Sequence, residues 1–407
     1  MCKQIVVIFL CVFSFQTNAQ SFDFLKSDTT DIQKNLPGYM VVETKFQHGH
    51  HKTTGVDELQ KTIETNPFNT FEFRIGWRGY GRKKWQQLHN FTTYGVAFHH
   101  VAFRPYDNIL GNPTSISLYM DYPLLSTRYF WFGIDLAFGP AFGFKPYDPE
   151  TNPNQKAIGS KVNLLFQPNI NLGFKVNKRF DIAFQAGLTH YSNGRMRTPN
   201  MGINLEGIGL KAVYNMKPFY KDGRDASHLP DRPTNTKVFL PKHKNYFEFI
   251  ISGGFGVTGS FNEYETKDDI NYRAMGFSID AALKYSHISR IGIGYDVFFD
   301  ESLVEEYETI ENQDIPLKDK MYGGIHISHE FLIHKFAIIT QYGRTFKNIP
   351  GRGKSYMVTG FRYDVSEKLF LKIILKTPTE LIADFALFSV GFLLNSQKKN
   401  DFNRVKI

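Results

Sequence analysis

Cysteine is nearly missing from this 407-residue chain, and the two present, Cys2 and Cys11, both lie within the first nineteen positions. Beyond them the sequence offers no thiol for a disulfide, a thiolate nucleophile or a zinc-thiolate site. Long apolar runs are missing too. After residue 20 no stretch approaches the ~18 to 20 unbroken apolar residues that a transmembrane helix needs. There is no acidic excess, since the formal net charge is +9. The basic residues are dispersed instead of clustered, which argues against nucleic acid as a partner and suits an anionic membrane surface.

The amino end explains where such a chain goes. Lys3 precedes an apolar run from Ile5 to Phe15, and Thr17-Asn18-Ala19 follows. This reads as a secretory signal over residues 1–19, cut between Ala19 and Gln20. Leu10-Cys11 lacks the small residue that a lipoprotein signal places before its cysteine. Both cysteines leave with the signal.

What the chain has in quantity is aromatic residues, 15 % of the total with 39 Phe and 21 Tyr, set in segments that alternate apolar and polar. An exported chain with many such segments and no spanning helix is expected to be all-β, a transmembrane antiparallel up-and-down barrel. Phe71, Phe73, Ile75 and Trp77 alternate with Glu72, Arg74, Gly76 and Arg78. Phe130 to Phe138 and Val162 to Phe174 repeat the pattern, with Asp135, Asn163, Gln167, Asn169 and Asn171 on the other face. That face is too polar for a dry core and suits a small barrel filled by a hydrogen-bonded network, or a wet lumen.

The alternation divides the chain into two halves of about eight strands each. The first spans residues 20–217, a proline-rich linker 218–244, and the second 245–396. Two tandem small barrels or one wide barrel both satisfy the count. The second half resembles a repeat of the first. Asn69-x-Phe-Glu-Phe-x-Ile returns at Asn245 to Ile251, Tyr94-Gly95 at Tyr322-Gly323, and the strand pair after Gly159-Ser160 after Gly353-Lys354. Gln47-His48-Gly49-His50-His51 follows a strand read as Tyr39 to Phe46. This cluster lacks carboxylate or cysteine partners at ligand spacing and is read as a solvated loop. No metal and no cofactor is expected.

Chemistry concentrates between Leu188 and Glu206. His190 and Ser192 are two apart, so on a strand they leave the same face. A serine hydroxyl needs a neighbouring base to become a nucleophile, and histidine is that base near neutral pH. Gly194 and Pro199-Asn200 mark a turn, after which Asn204 and Glu206 return, either of which can orient the imidazole. The face is informative. His190 and Ser192 continue the series Phe180, Ile182, Phe184, Ala186, Leu188, and Asn204 and Glu206 lead into Ile208 and Leu210. All four therefore project from the lipid side of one hairpin. A hydrolase of membrane lipids would place its groups there. In the second half the equivalent segment reads Lys376-Thr377-Pro378-Thr379-Glu380, so the site is single.

His190-Tyr-Ser-Asn-Gly followed by Pro199-Asn200-x-Gly-x-Asn204 resembles the active-site signature of the outer-membrane lipid A 3-O-deacylases and the related acyloxyacyl hydrolases. Gly81 to Trp85, Ile109-Leu-Gly-Asn112 and Lys156-Ala-Ile-Gly-Ser-Lys161 extend the likeness toward the long Bacteroidetes-type versions. The resemblance implies an integral outer-membrane barrel with lipid A of lipopolysaccharide as substrate. It implies Ser192 as nucleophile, His190 as base, and Asn193, Gly194 and Asn200 around the oxyanion and its turn. The family's glutamate finds Asn204 at its spacing and Glu206 one strand repeat further on. Arg195 and Arg197 are candidates for the lipid A phosphates. An asparagine at that position is also similar to the outer-membrane phospholipase A family, although Arg197 stands where that family's calcium-binding aspartate would be. A non-catalytic structural or transport barrel is the third reading, and homodimerisation is left open.

Overall fold

Alternation becomes sixteen antiparallel strands in the computed structural model, which describes residues 38–52, 67–81, 84–233, 237, 240, 242–259, 271–304, 316–378 and 383–395. The expected signal segment lies outside these residues. The first eight strands are β1 (Met40–Lys52), β2 (Pro67–Arg78), β3 (Thr93–Ala102), β4 (Gly111–Ser126), β5 (Phe130–Phe144), β6 (Val162–Lys175), β7 (Phe180–Ser192) and β8 (Ile203–Asn215). The second eight are β9 (Tyr246–Gly259), β10 (Asn271–Lys284), β11 (Ser289–Asp300), β12 (Met321–Ile333), β13 (Phe336–Ile349), β14 (Gly353–Asp364), β15 (Leu369–Pro378) and β16 (Phe385–Asn395). Each set closes on itself, β1 pairing with β8 and β16 with β9, so there are two eight-stranded barrels. A twelve-residue strand such as β2, at ~3.3 Å per residue and tilted by ~40°, rises ~30 Å, the thickness of a hydrocarbon core.

The two faces follow the period of two. Phe71, Phe73, Ile75 and Trp77 are exposed on the outside of β2, while Glu72 and Arg74 are buried in the lumen. That lumen is filled by charge of both signs. Arg74 Nη2 donates to Asp135 Oδ1 at 3.0 Å, and Lys45 Nζ lies 3.2 Å from Glu72 Oε2. Lys211 Nζ meets Glu43 at 3.1 Å as well as Asp121, and Asn169 and Asn171 donate to Asp135 at 3.0 and 2.8 Å. Charges taken from water persist only when paired and hydrogen-bonded in this way. In the second barrel, Arg290 pairs with Glu248 at 2.8 Å and Arg362 with Glu330 at 2.7 Å.

Turns of two to four residues join β4–β5, β6–β7, β10–β11, β12–β13 and β14–β15, and longer loops such as 145–161 and 193–202 lie at the opposite end. A short helix, α1 (Lys84–Leu88), interrupts the short-turn end. The segment after β8 folds back beneath that end. Arg179 pairs with Asp231 at 2.7 Å, and Arg232 Nε donates to Lys178 O at 2.7 Å. The barrels touch along their sides. Phe138 of β5 meets Phe361 of β14 with ring centroids 4.8 Å apart, and Tyr122 packs with Phe331 and Ile333.

Two expectations need correction. The histidine run is not a loop, because β1 continues through Lys52. His51 is buried, and His48 Nδ1 lies 2.9 Å from Asn69 Oδ1 across the ladder. The alternation continues unseen there because glycine and histidine carry little hydropathy signal. The expected internal correspondences also fall apart in part. The Asn69 stretch lies in β2 and the Asn245 stretch leads into β9, strands that run in opposite senses between the two ends. Tyr94 is outward on β3, whereas Tyr322 is buried on β12. Only the third correspondence, β6–β7 with β14–β15, joins equivalent places in the two rings. The β15 end at Lys376-Thr377-Pro378 is thus the counterpart of the β7 end, and Thr379 and Glu380 lie outside the described residues.

Candidate active site

Strands β7 and β8 set the site, since their register places His190 directly opposite Asn204 and Leu188 opposite Glu206. Directly opposed residues on one face have Cβ atoms ~4.5 to 5.5 Å apart, within reach of a short amide and an imidazole. His190 Nδ1 and Asn204 Oδ1 are 2.7 Å apart. A carboxamide oxygen only accepts, so Nδ1 carries a proton in this contact. On the other flank, β6 places Phe166 beside His190 and Leu164 beside Ser192. Each of these side chains is half-buried, at the end of the barrel where the long loops lie.

Ser192 closes β7, and its Oγ accepts from the Gly194 amide at 3.1 Å and from Asn200 Nδ2 at 2.9 Å. Asn200 is held in turn, because its Oδ1 accepts from the Asn193 amide at 3.2 Å. Asn193 is buried and ties the turn together, its Nδ2 donating to Arg197 O and to Ser160 Oγ, both at 2.9 Å. Gly202 has φ +77°, and a Cβ there would stand 2.8 Å from His190 Cε1. Its amide donates to Ala157 O at 3.0 Å. The 157–160 segment therefore buttresses the turn from the neighbouring loop.

Glu206 is elsewhere. Its Oε1 accepts from Lys52 Nζ at 3.2 Å, and both side chains are about half exposed. Asn204 alone of the two faces the imidazole. The arginines separate as well. Arg197 is exposed, but Arg195 is 2 % exposed, and its carbonyl accepts from the amide of Gly259 in the second barrel at 2.7 Å. Arg195 is thus no surface group awaiting a phosphate, which corrects that expectation. The roles of Gly202, Ala157 and Ser160 were not foreseen, although all three stand inside the quoted motifs. A glycine two residues before Asn204 was the available signal. Among the described residues, no three His, Cys, Asp or Glu side chains converge on a metal-sized site.

Fold and site together define a membrane β-barrel with a histidine, a serine and an asparagine on the outward face of one hairpin. Residues 71–212 match the family model described as lipid A 3-O-deacylase (PagL), and residues 245–396 match the one described as acyloxyacyl hydrolase, C-terminal domain. The two together take in most of the chain, which belongs to the lipid A 3-O-deacylase family, a family of outer-membrane lipid A deacylases. Among solved structures, one described as the outer membrane enzyme PagL is similar at 18 % identity and TM-score 0.28, over 42 % of this chain and 97 % of that one. OccAB4 from Acinetobacter baumannii is similar at 9 % identity and TM-score 0.22, over 90 % of this chain and 100 % of that one. No curated protein matches.

Proposed function

We propose that the protein is an outer-membrane serine esterase that removes an ester-linked acyl chain from lipid A. The observation that carries the proposal is the 2.7 Å contact of His190 Nδ1 with Asn204, on the same lipid face as a Ser192 oxygen held by two donors. With Nδ1 protonated, Nε2 takes the Ser192 hydroxyl proton, and Oγ attacks the ester carbonyl. The oxygen that gains charge is met by the Gly194 amide and the Asn200 carboxamide, displaced slightly from where they now grip Oγ. The proton on Nε2 passes to the departing sugar oxygen, leaving an acyl-serine. A water molecule, deprotonated by the same imidazole, then releases the fatty acid.

Depth favours this placing. Charged groups on a barrel's lipid face cost ~2 to 4 kcal/mol at the midplane but only ~0 to 1 near an interface. His190, Ser192 and Asn204 lie near strand ends, and a site near the barrel's rim suits a substrate whose ester bonds lie near the membrane interface. If the amino end enters from the periplasm, β7 runs outward and the site meets the outer leaflet, where lipid A resides. Arg197, exposed on the turn, is positioned to pair with a lipid phosphate. Asn204 as the histidine partner also suits a phospholipase on the same hairpin. A purified barrel offered lipid A and phospholipid in mixed micelles distinguishes the two. Free fatty acid from lipid A, lost in Ser192→Ala, supports the proposal, and release from phospholipid alone would replace it.

A further inference from the structure

The second barrel has no His-x-Ser pair at the end of β15, yet it reaches the first barrel's site. Gly194, whose amide donates to Ser192 Oγ, is followed by Arg195, whose carbonyl accepts from Gly259 at the end of β9 at 2.7 Å. A Cβ at Gly194 would lie 3.1 Å from Ala386 Cβ and 3.4 Å from Leu375 Cδ1, so the turn is seated against β15 and β16. Gly194 and Arg195 both have left-handed backbone, with φ +65° and +67°. That conformation is uncommon for a residue with a side chain and persists where its surroundings dictate it. Arg195 is buried with its guanidinium, which requires nearby negative charge.

A buried carboxylate lies on the rim of the second barrel. Asp384 is fully buried there, bound by Lys376 and 3.5 Å from Arg352. Burial pushes the Asp384 carboxyl up, but Lys376, Arg352 and Arg195 outweigh it and hold it below the usual carboxylate range.

We propose that the second barrel positions the esterase turn. Arg195, docked on its rim through the Gly259 amide, fixes the Gly194 amide on the reacting oxygen. Arg195 is a positioning residue and touches no reacting atom, and the inference rests on the esterase reading above. The second barrel thereby acquires a role in the reaction. An element that itself carries no nucleophile holds the turn to the accuracy that an oxyanion donor demands. Because the donor acts on charge that develops during reaction, its misplacement lowers kcat and leaves KM almost untouched.

The experiment is a kinetic comparison on lipid A in detergent micelles, using full-length protein whose barrels are shown to be folded by heat-modifiable gel mobility. Arg195→Ala should lower kcat at least about tenfold with KM within about twofold, and Arg195→Lys should restore much of it. Gly259→Pro, which removes the amide that donates to Arg195 O, is tested alongside and should also lower kcat. An unchanged kcat in folded Arg195→Ala and Gly259→Pro overturns the proposal. Failure of the underlying reading looks different: the wild type releases no fatty acid, or Ser192→Ala releases it equally well.

Discussion

Asn204 Oδ1 lies 2.7 Å from His190 Nδ1, straight across the β7–β8 ladder, while Glu206 is one strand repeat away and bound to Lys52. Strand repeats of ~6.6 Å exceed hydrogen-bond reach, so one residue serves the imidazole and the other does not. Asn204→Ala should therefore lose most of kcat at saturating substrate, and Glu206→Gln little. A crippled Glu206→Gln beside an active Asn204→Ala would reverse the assignment.

Ser192→Ala and His190→Ala should each abolish acyl release while the barrels still insert. Both side chains are half-buried at a rim and outside the packed clusters of either barrel. Retention of more than a few per cent of activity in Ser192→Ala would rule out a serine nucleophile.

Activity should survive chelation of calcium, because the turn presents the exposed cation Arg197 where a ligand carboxylate would be required. Assays with excess chelator check this, and a strict calcium requirement would move the phospholipase reading ahead.

Gly202→Ala should lower kcat at least about tenfold with modest change in folding. The added methyl would stand 2.8 Å from His190 Cε1 at a backbone of φ +77°, so the ring must move off Asn204. Wild-type kinetics in this variant would show that the ring position tolerates the shift.

The sequence alone made the faces legible and left the neighbours hidden. A period of two assigns His190, Ser192 and Asn204 to the lipid side and Arg74, Asp135 and Lys211 to the lumen without any knowledge of pairing. The same rule missed β1 beyond Phe46, where Gly49 and the histidines blur the contrast between faces. It also gave no account of Arg195, because its contact with the second barrel comes from Gly259, far along the chain. Local motif spacing marked the turn that begins at Asn193, but its link to Ser160 joins two loops and has no local signature. Repeats read by short matches misled for a related reason: aromatic-glycine steps recur in any barrel, whichever way the strand runs.

His89, which follows α1 outside the strands, packs edge-on against Tyr122 and Phe331, so it lies in the seam between the barrels. Burial pushes its imidazole down to about 4. The unfolded chain takes up a proton near pH 6.5 and the folded one does not. The stability this confers is therefore present above pH 6.5 and lost as pH falls toward 4, by up to ~3 kcal/mol. Denaturant unfolding of the wild type should weaken across that window, and in His89→Gln the decline should be reduced. A pH profile identical in the two proteins would contradict it.

The most direct test of the central claim is mass spectrometry of lipid A from cells expressing the wild type or Ser192→Ala. The wild type should yield lipid A lighter by one ester-linked acyl chain, and Ser192→Ala, present in the membrane at equal level, should leave it intact. Identical acylation with both proteins, or deacylation that persists in Ser192→Ala, would contradict a serine esterase acting on lipid A.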